Sequence, residues 1–225
     1  MTLLTLDIET IPNEQLLPFA NDAMPYPGPE QAPSNYKSPE AIAKWVENAQ
    51  SIHGERVIKR MSLDPILGRI VCIGTMSWDP LTDMPDLDVF TVDKSQDIAA
   101  QEKAILLQFW AKASVAAQSL SFNGLNFDLP FIEKRSRILG ITHIPVVRET
   151  HIDLMRETST RTYTGGYDNK SLTELRKWFG IPVQTDHTGA DVYTDYQKGD
   201  MATIASHCAD DVNATFEISR RLNLV

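Results

Sequence analysis

The first predicted strand is an apolar run, residues 3–10, that two acids interrupt. Side chains alternate between the faces of a strand, so Asp7 and Glu9 share one face while Leu6 and Ile8 lie on the other. Two ionised carboxylates this close repel each other, and burying them without a partner is costly. A divalent cation with oxygen ligands is the simplest compensation. The alternative is a strand end whose acids face solvent.

Two later apolar stretches, 69–78 and 87–92, are the next strand candidates, and the short turn between them predicts an antiparallel hairpin. Three strands followed by alternating helices and strands predict an α/β fold, a mixed five-stranded sheet with the first strand central and helices on both faces. Ligands gather at the carboxyl ends of strands in such sheets, where Asp7 and Glu9 would lie. The later predicted elements are a helix at 95–113, a strand at 115–122, a helix at 129–139, a short strand near 146–153, a helix opening at Ser171 and a helix from about 200 to 222.

Residues 11–60 contain seven prolines and no second core pattern. Proline interrupts helices and sheets, so residues 12–33 are predicted to form an irregular loop. Ser38 is the predicted N-cap of a helix at 39–53 that has a proline in its first turn. The whole chain is therefore predicted to be a single domain, with a proline-rich insertion at about 11–60.

The composition is that of a soluble globular protein, with 42% hydrophobic and 23% charged residues. No apolar run approaches the roughly 20 residues that span a bilayer, so no membrane association is expected. The two cysteines have no disulfide or zinc spacing, and the start of the chain lacks the basic region of a signal peptide, so a cytoplasmic location is predicted. The net charge of −9 argues against a broad basic surface for nucleic acid, but leaves room for a small site.

Three further candidates lie after the middle strand and on the last helix. Asp128 follows a predicted strand end, where an acid is commonly a helix N-cap; Asn126 is the other candidate cap. His207 and Asp211 are four residues apart on a helix and therefore share a face, beside an apolar stripe. A histidine in that position is either part of the core or a catalytic group.

Together these acids resemble the motifs of the DEDD superfamily of 3′–5′ exonucleases. Asp7 and Glu9 match the first motif, residues 123–128 with Pro130 the second, and 207–211 the third. The resemblance covers nearly the whole chain and is closest to the proofreading exonuclease domains of family-B DNA polymerases and their stand-alone relatives. It implies a ribonuclease-H-like fold and a metal-dependent 3′–5′ exonuclease that shortens single-stranded DNA ends.

The third motif departs from the family pattern. One branch of the family has a tyrosine separated from the last aspartate by three residues, and the other has a histidine separated by four. Here His207 stands at the tyrosine spacing if Asp211 is the last ligand. Asp211 is taken as that ligand, and Asp210 remains the rival. The identity of the base is therefore more open than that of the metal ligands.

The resemblance also implies roles for the five residues. Four carboxylates would hold two divalent ions, Mg²⁺ or Mn²⁺, one activating a water and the other stabilising the leaving 3′ oxygen. Asp7 would bridge both ions, Glu9 and Asp211 would complete the water-activating site, and Asp128 would serve the second ion. His207 would orient or deprotonate the water, since imidazole titrates near neutrality.

Substrate contacts are expected at two places. By resemblance, the backbone at Ile8 and Thr10 and the side chains of Asn126 and Phe131 lie near the terminal sugar and base. Arg161 and Lys170, with Arg156 and two tyrosines, flank or lie in a polar segment at 157–170 that is predicted to be a mobile loop. The alternative for that segment is a solvated loop without a role.

The sequence leaves three functions open. The leading one is the exonuclease acting on single-stranded DNA 3′ ends, with DNA favoured over RNA. The second keeps the chemistry on RNA or short oligonucleotides, because discrimination depends on the 2′-hydroxyl pocket. The third is a binding protein that has the fold without catalysis. The chain shows no polymerase pattern, so a proofreading role would require a separate polymerase as partner.

Overall fold

The computed structural model describes residues 2–142, 150–184 and 187–225. Its main sheet has five strands: β1 Leu3–Pro12, β2 Gly68–Trp78, β3 Asp86–Thr91, β4 Gln118–Ser121 and β5 His151–Asp153. They lie in the order β3-β2-β1-β4-β5, so the first strand is central as predicted. Strands β2 and β3 form the expected antiparallel hairpin, whereas β4 is parallel to both β1 and β5.

Helices cover both faces of this sheet, which confirms the predicted fold class. On one face, Leu4 and Leu6 lie with Phe109 and Ala113 of a long helix. On the other face, Leu3 packs in a core cluster with Val212 and other residues of the last helix. The helices of this part are α4 Ile98–Ala113, α5 Asp128–Ile138, α6 Leu154–Thr158, α7 Leu172–Phe179, α8 Val192–Lys198 and α9 Met201–Arg221.

By its contacts the chain forms two compact units, one of residues 1–10 and 70–225 and one of residues 11–69. The second unit contains α1 Leu17–Ala23, α2 Pro39–Ser51 and α3 His53–Ser62, with short 3₁₀ helices at Glu14–Leu16 and Pro29–Gln31. The division into a single domain with an insertion stays a prediction.

The structure corrects the predicted loop at 12–33. Pro18 lies in the first turn of α1, where proline is compatible with a helix, and Ala20 is buried against Val57 and Met61 of α3. The helix predicted from Ser38 is confirmed, since the Ser38 hydroxyl accepts a hydrogen bond from the backbone N–H of Ala41 at 3.2 Å. Helices α3 and α8 were not predicted.

The segment predicted as a loop at 157–170 contains the end of α6 and a small antiparallel hairpin of β6 Thr160–Arg161 and β7 Tyr167–Asp168. The capping box at Ser171 and Glu174 is present, and α7 ends at Gly180, whose φ of 62° is left-handed. Part of the strand predicted near 146–153 falls on residues 143–149, which lie outside the described residues. Among the described helices none is long and apolar enough to cross a membrane. The compartment stays a prediction.

Candidate active site beside the central strand

Strand β1 presents Asp7 and Glu9 towards α9, the helix that carries His207 and Asp211. Glu9 is 6% exposed, and Asp7 is half-buried. Ligand atoms of Asp7, Glu9 and Cys208 all lie within 4.8 Å of one another. The Cys208 thiol also donates a hydrogen bond to the backbone carbonyl of Asp7 at 3.5 Å. Helix α9 therefore lies directly against the acidic part of the central strand.

The close approach of α9 depends on a glycine in β2. A Cβ added at Gly74 would lie 2.9 Å from Cys208 Sγ and 2.9 Å from Val212 Cγ2. Both distances are shorter than a normal contact of a carbon atom with sulfur or carbon, so a side chain here would push the helix outwards. The absence of a side chain at Gly74 thus helps to set the position of α9.

Asp128 approaches Asp7 and Glu9 from the edge of β1 that faces β4, the edge away from β2. The described β1–β4 pairing runs from Leu3 to Thr5 of β1, and beyond it the buried Asp128 carboxylate accepts a hydrogen bond from the Ile8 N–H at 3.1 Å. The N-cap of α5 is Phe127, without a side-chain cap, so Asp128 lies in the first turn and is not the cap. Neither candidate cap proposed from the sequence, Asp128 or Asn126, occupies that position.

The two consecutive aspartates of α9 have different surroundings. The Asp210 side chain, 5% exposed, binds Arg176 Nη1 at 2.6 Å and accepts the Gln184 N–H at 3.2 Å. The Asp211 side chain is 27% exposed, and one of its oxygens lies 2.9 Å from Arg176 Nη2. Both aspartates contact Arg176, but Asp210 is the more buried and its side chain also accepts a backbone N–H, which favours the more exposed Asp211 as the candidate ligand.

His207 lies near Glu9 of β1 and near Asp211 of its own helix, α9. Its Nε2 atom is 3.5 Å from Glu9 Oε1, and the residue is buried. The positive charge that His207 carries when protonated also counteracts the rise in the pKa of Asp211. The histidine thus faces the acids of β1, and this placement agrees with the catalytic interpretation of the residue.

Burial and neighbouring negative charges raise the pKa values of all four carboxylates. Burial raises the pKa of Asp7 well above its ordinary value, and the negative charges of Glu9, Asp128 and Asp211 raise it further. Burial raises the pKa of Asp128 to about 7, against the opposing effect of its backbone hydrogen bonds. For Glu9, burial again has the largest effect, and Cys72, Asp211 and Asp128 add to it. The acids predicted from distant parts of the sequence therefore act on one another electrostatically.

This donor set fits a divalent cation. Buried carboxylates that repel one another are stabilised when a cation shares their charge. Most of the available donors are carboxylate oxygens, the ligands preferred by Mg²⁺ and Mn²⁺, and Cys208 adds one softer thiol beside them. Asp7, Glu9, Asp128 and Asp211 are the residues that would hold such ions.

Asp153, at the end of β5, was not predicted as a site residue. Its buried carboxylate accepts hydrogen bonds from the backbone N–H groups of Asn123, Leu125 and Met155, at 2.9, 3.1 and 3.1 Å. It therefore holds the turn that leads from β4 to Asp128. The available signal was an acid at the end of a predicted strand, but that this strand lies beside β4 is a property of the tertiary structure.

The same turn requires Gly124. An added Cβ would lie 1.8 Å from Ser121 Oγ, which is far shorter than the van der Waals contact distance of any two heavy atoms. Asn123, just before it, has a φ of 62°, a conformation that asparagine tolerates better than most residues. The turn between β4 and α5 is thus specified by Asn123, Gly124 and Asp153 together.

The residues predicted to hold the terminal nucleotide have mixed placements. Asn126 is exposed; its amide donates to Asn123 Oδ1 at 2.9 Å, and its oxygen lies 3.4 Å from Arg156 Nη2. Thr10 is buried, and the N–H of Ile8 is already bound to Asp128. Exposed Asn126 and Arg156 are therefore the better placed of these polar groups to meet a ligand.

Phe131 requires a correction. It is only 1% exposed, and its ring centroid lies 5.6 Å from that of Phe127, so its side chain belongs to the core and offers no surface to a base. The half-buried Phe127 is the more accessible aromatic ring of this pair.

The predicted phosphate contacts Arg161 and Lys170 lie on the segment that joins α6 to α7. Arg161 is exposed in β6. Lys170 forms an ion pair with Asp168 and lies 5.5 Å from the ring centroid of Trp178. Lys170 therefore has local partners on β7 and α7, whereas Arg161 presents its side chain to solvent.

Comparison with known proteins agrees with this architecture. No curated protein matches the sequence. A family model described as the RNase H superfamily matches residues 61–223. The match includes Asp128, His207 and Asp211 and begins after β1, so Asp7 and Glu9 lie outside it. Because the matched segment is well over half of the 225 residues, the chain belongs to the RNase H superfamily.

Proposed function

We propose that the protein is a metal-dependent 3′–5′ exonuclease that removes nucleotides from single-stranded DNA ends. Membership of the RNase H superfamily supports a nuclease in general. The observation that carries the finer proposal is the convergence of acids from β1, α5 and α9. Asp128 accepts a hydrogen bond at 3.1 Å from the N–H of Ile8, the residue between Asp7 and Glu9. On α9, His207 lies 3.5 Å from Glu9 and shares a helix face with Asp211. Buried like charges destabilise a protein unless an opposite charge, such as a bound cation, compensates them.

Phosphodiester hydrolysis requires a positioned nucleophile and compensation for the charge that develops in the transition state. Bound divalent ions supply that compensation and activate the attacking water. Asp7, Glu9, Asp128 and Asp211 would hold these ions, so the protein's own carboxylates set where the positive charge is placed. The direction of attack from the 3′ end rests on the similarity of the three motifs to DEDD exonucleases.

His207 is the proposed proton acceptor for the attacking water. A neutral imidazole that is protonated at Nδ1 can take a proton at Nε2, the atom 3.5 Å from Glu9 Oε1. The resulting N–H would then donate towards the Glu9 carboxylate, which stabilises the cationic form of the ring. Imidazole is well suited to this step because its ordinary pKa is close to neutral pH.

The proposed ligand is a 3′ end of a single strand, with DNA favoured over RNA. Exposed Asn126, Arg156 and Arg161 could contact sugar and phosphate groups, and the exposed Tyr163 and Tyr167 could stack on bases. A separate polymerase is part of this proposal as a source of such ends.

The test uses 5′-labelled linear single-stranded DNA and RNA, and circular single-stranded DNA, with Mg²⁺, Mn²⁺ or a chelator. We expect stepwise shortening of linear DNA from the 3′ end with either metal, no product in chelator, and intact circles. Asp128→Asn should abolish the activity. Asp97→Asn is the matched control, because Asp97 is also an acid at a helix start, where it caps α4.

Other outcomes would each overturn a specific part of the proposal. Cutting of circles would indicate an endonuclease. Faster shortening of RNA would reverse the substrate preference. No shortening with any metal, together with retained strand binding, would leave a binding protein with the same fold.

A further inference from the structure

Arg176 of α7 is a buried cation placed between two consecutive acids of α9. Its side chain is 3% exposed. Nη1 donates to Asp210 Oδ2 at 2.6 Å, and Nη2 donates to the Asp210 backbone carbonyl at 2.6 Å and to Asp211 Oδ1 at 2.9 Å. The guanidinium thus binds both the side chain and the backbone carbonyl of Asp210, and the Nη2 atom that binds this carbonyl also binds Asp211.

The contacts to Asp210 leave little freedom for this guanidinium. A charge-assisted pair with a buried carboxylate is strong, and a second bond to a helix carbonyl prevents rotation of the planar group. Helices α7 and α9 are packed against each other, and α7 is capped at both ends. The Nη2 atom is therefore held at a defined place beside Asp211.

Asp211 is the more exposed of the two aspartates and lies one helical turn after His207, whose Nε2 is 3.5 Å from Glu9 Oε1. The two residues therefore share the face of α9 that meets β1. A hydrogen bond to Oδ1 restricts the rotation of its carboxylate. No hydrogen bond from another described residue reaches Oδ2, so this oxygen can bind another ligand. Hydrogen-bond partners of metal-binding carboxylates commonly orient them and set metal affinity.

We infer that Arg176 is a positioning residue that orients the Asp211 carboxylate for binding a divalent cation, with Asp210 serving to anchor the guanidinium. This inference rests on the proposed function for the metal site itself. It assigns different tasks to neighbouring aspartates, one structural and one ligating. It also explains how an arginine can lie beside a cation site, because its charge is already paired with Asp210.

Arg176→Lys tests this role because it keeps the positive charge but removes the planar fork. Arg135→Lys is the matched control. Arg135 is a buried arginine, 5% exposed, whose Nε and Nη2 each lie 2.7 Å from an oxygen of buried Glu102, between α5 and α4. Both variants should lower the unfolding temperature, but only one should affect metal binding.

The readout is the Kd of Mn²⁺, measured by electron paramagnetic resonance on the folded protein, with the Mn²⁺ dependence of cleavage measured in parallel. We expect Arg176→Lys to weaken Mn²⁺ binding by about 10-fold or more. Arg135→Lys should stay within about twofold of the parent. In an Asp211→Asn background, Arg176→Lys should have no further effect on the Kd, as expected for a residue that acts through Asp211.

Unchanged Mn²⁺ binding in Arg176→Lys, tighter binding, or an equal loss in both lysine variants would overturn the inference. If Arg176→Lys does not fold, Asp210→Asn replaces it, since it removes the anchor of the guanidinium; it should weaken Mn²⁺ binding at least about threefold, and parental binding would count against the inference. A protein that binds Mn²⁺ with these shifts but cleaves no nucleic acid would refute the proposed function and leave the role of Arg176 standing.

Discussion

The side chain of Asp128 binds the backbone N–H of Ile8, 120 residues earlier in the chain, at 3.1 Å. Ile8 lies between Asp7 and Glu9 on the central strand. The bond therefore attaches the start of α5 to the strand at the place where the two acids project. The same bond fixes the position of the Asp128 carboxylate, which does not cap its own helix.

Asp128→Asn should change how stability depends on pH when metal is removed by a chelator. The pKa of Asp128 is about 7 in the folded protein and 3.8 for an ordinary aspartate. The stability that its protonation contributes is thus present below about pH 4 and lost as the pH rises through about 7. The unfolding temperature of Asp128→Asn minus that of the parent should therefore increase as the pH is raised from 5 to 8, because asparagine stays neutral.

Thermal unfolding followed by circular dichroism measures this difference, and adding Mg²⁺ at pH 8 should raise the unfolding temperature of the parent more than that of the variant. Asp200→Asn is the control. Hydrogen bonds from Thr203 lower the pKa of Asp200, so its effect should be constant between pH 5 and pH 8. A constant difference for Asp128→Asn as well would contradict the prediction.

His207→Ala should lower kcat by about 100-fold or more if the histidine accepts the proton of the attacking water. His207→Tyr should keep part of the activity and move the pH dependence of the rate to higher pH, because a phenol loses its proton near pH 10. Steady-state rates from pH 5 to pH 10 provide the measurement, and a parental rate for His207→Ala at every pH would exclude the role.

Asp153→Asn should destabilise the protein by about 1–3 kcal/mol, because an amide cannot accept all three backbone hydrogen bonds of the buried carboxylate. It should also lower kcat, since the turn it holds positions Asp128. Denaturant unfolding and cleavage rates measured well below the unfolding temperature separate the two effects. Asp97→Asn also removes a carboxylate that accepts backbone hydrogen bonds, and it should leave the rate unchanged. If Asp153→Asn lost stability alone, its role in positioning Asp128 would be refuted.

Gly74→Ala should cost about 1–3 kcal/mol of stability and reduce activity, because the new methyl group would displace the helix that carries His207 and Asp211. Gly54→Ala is the control, since an added Cβ there meets no atom within 4 Å and Gly54 lies inside α3. Adding Cys208→Ala to Gly74→Ala removes one of the two close contacts and should restore part of the stability. No coupling between the two substitutions in denaturant unfolding would contradict the proposed clash.

Local sequence signals predicted most of the regular structure. The period-two pattern placed Asp7 and Glu9 on one face of β1, and the capping box at Ser171 marked the start of α7. The failures have local causes too. Pro18 was interpreted as a helix breaker although it lies in the first turn of α1, and the seven-residue helix α8 is too short to show a clear period.

Residue patterns alone predict the sheet with its central acidic strand and the shared face of His207 and Asp211, because side-chain periodicity in strands and helices is a property of the backbone. It takes the folded chain to show that Asp210 pairs with Arg176, that Phe131 is buried and that Asp153 supports the turn before Asp128. Each of these depends on contacts between residues about 30 or more positions apart or on packing of the core, and no local pattern encodes which distant groups will meet.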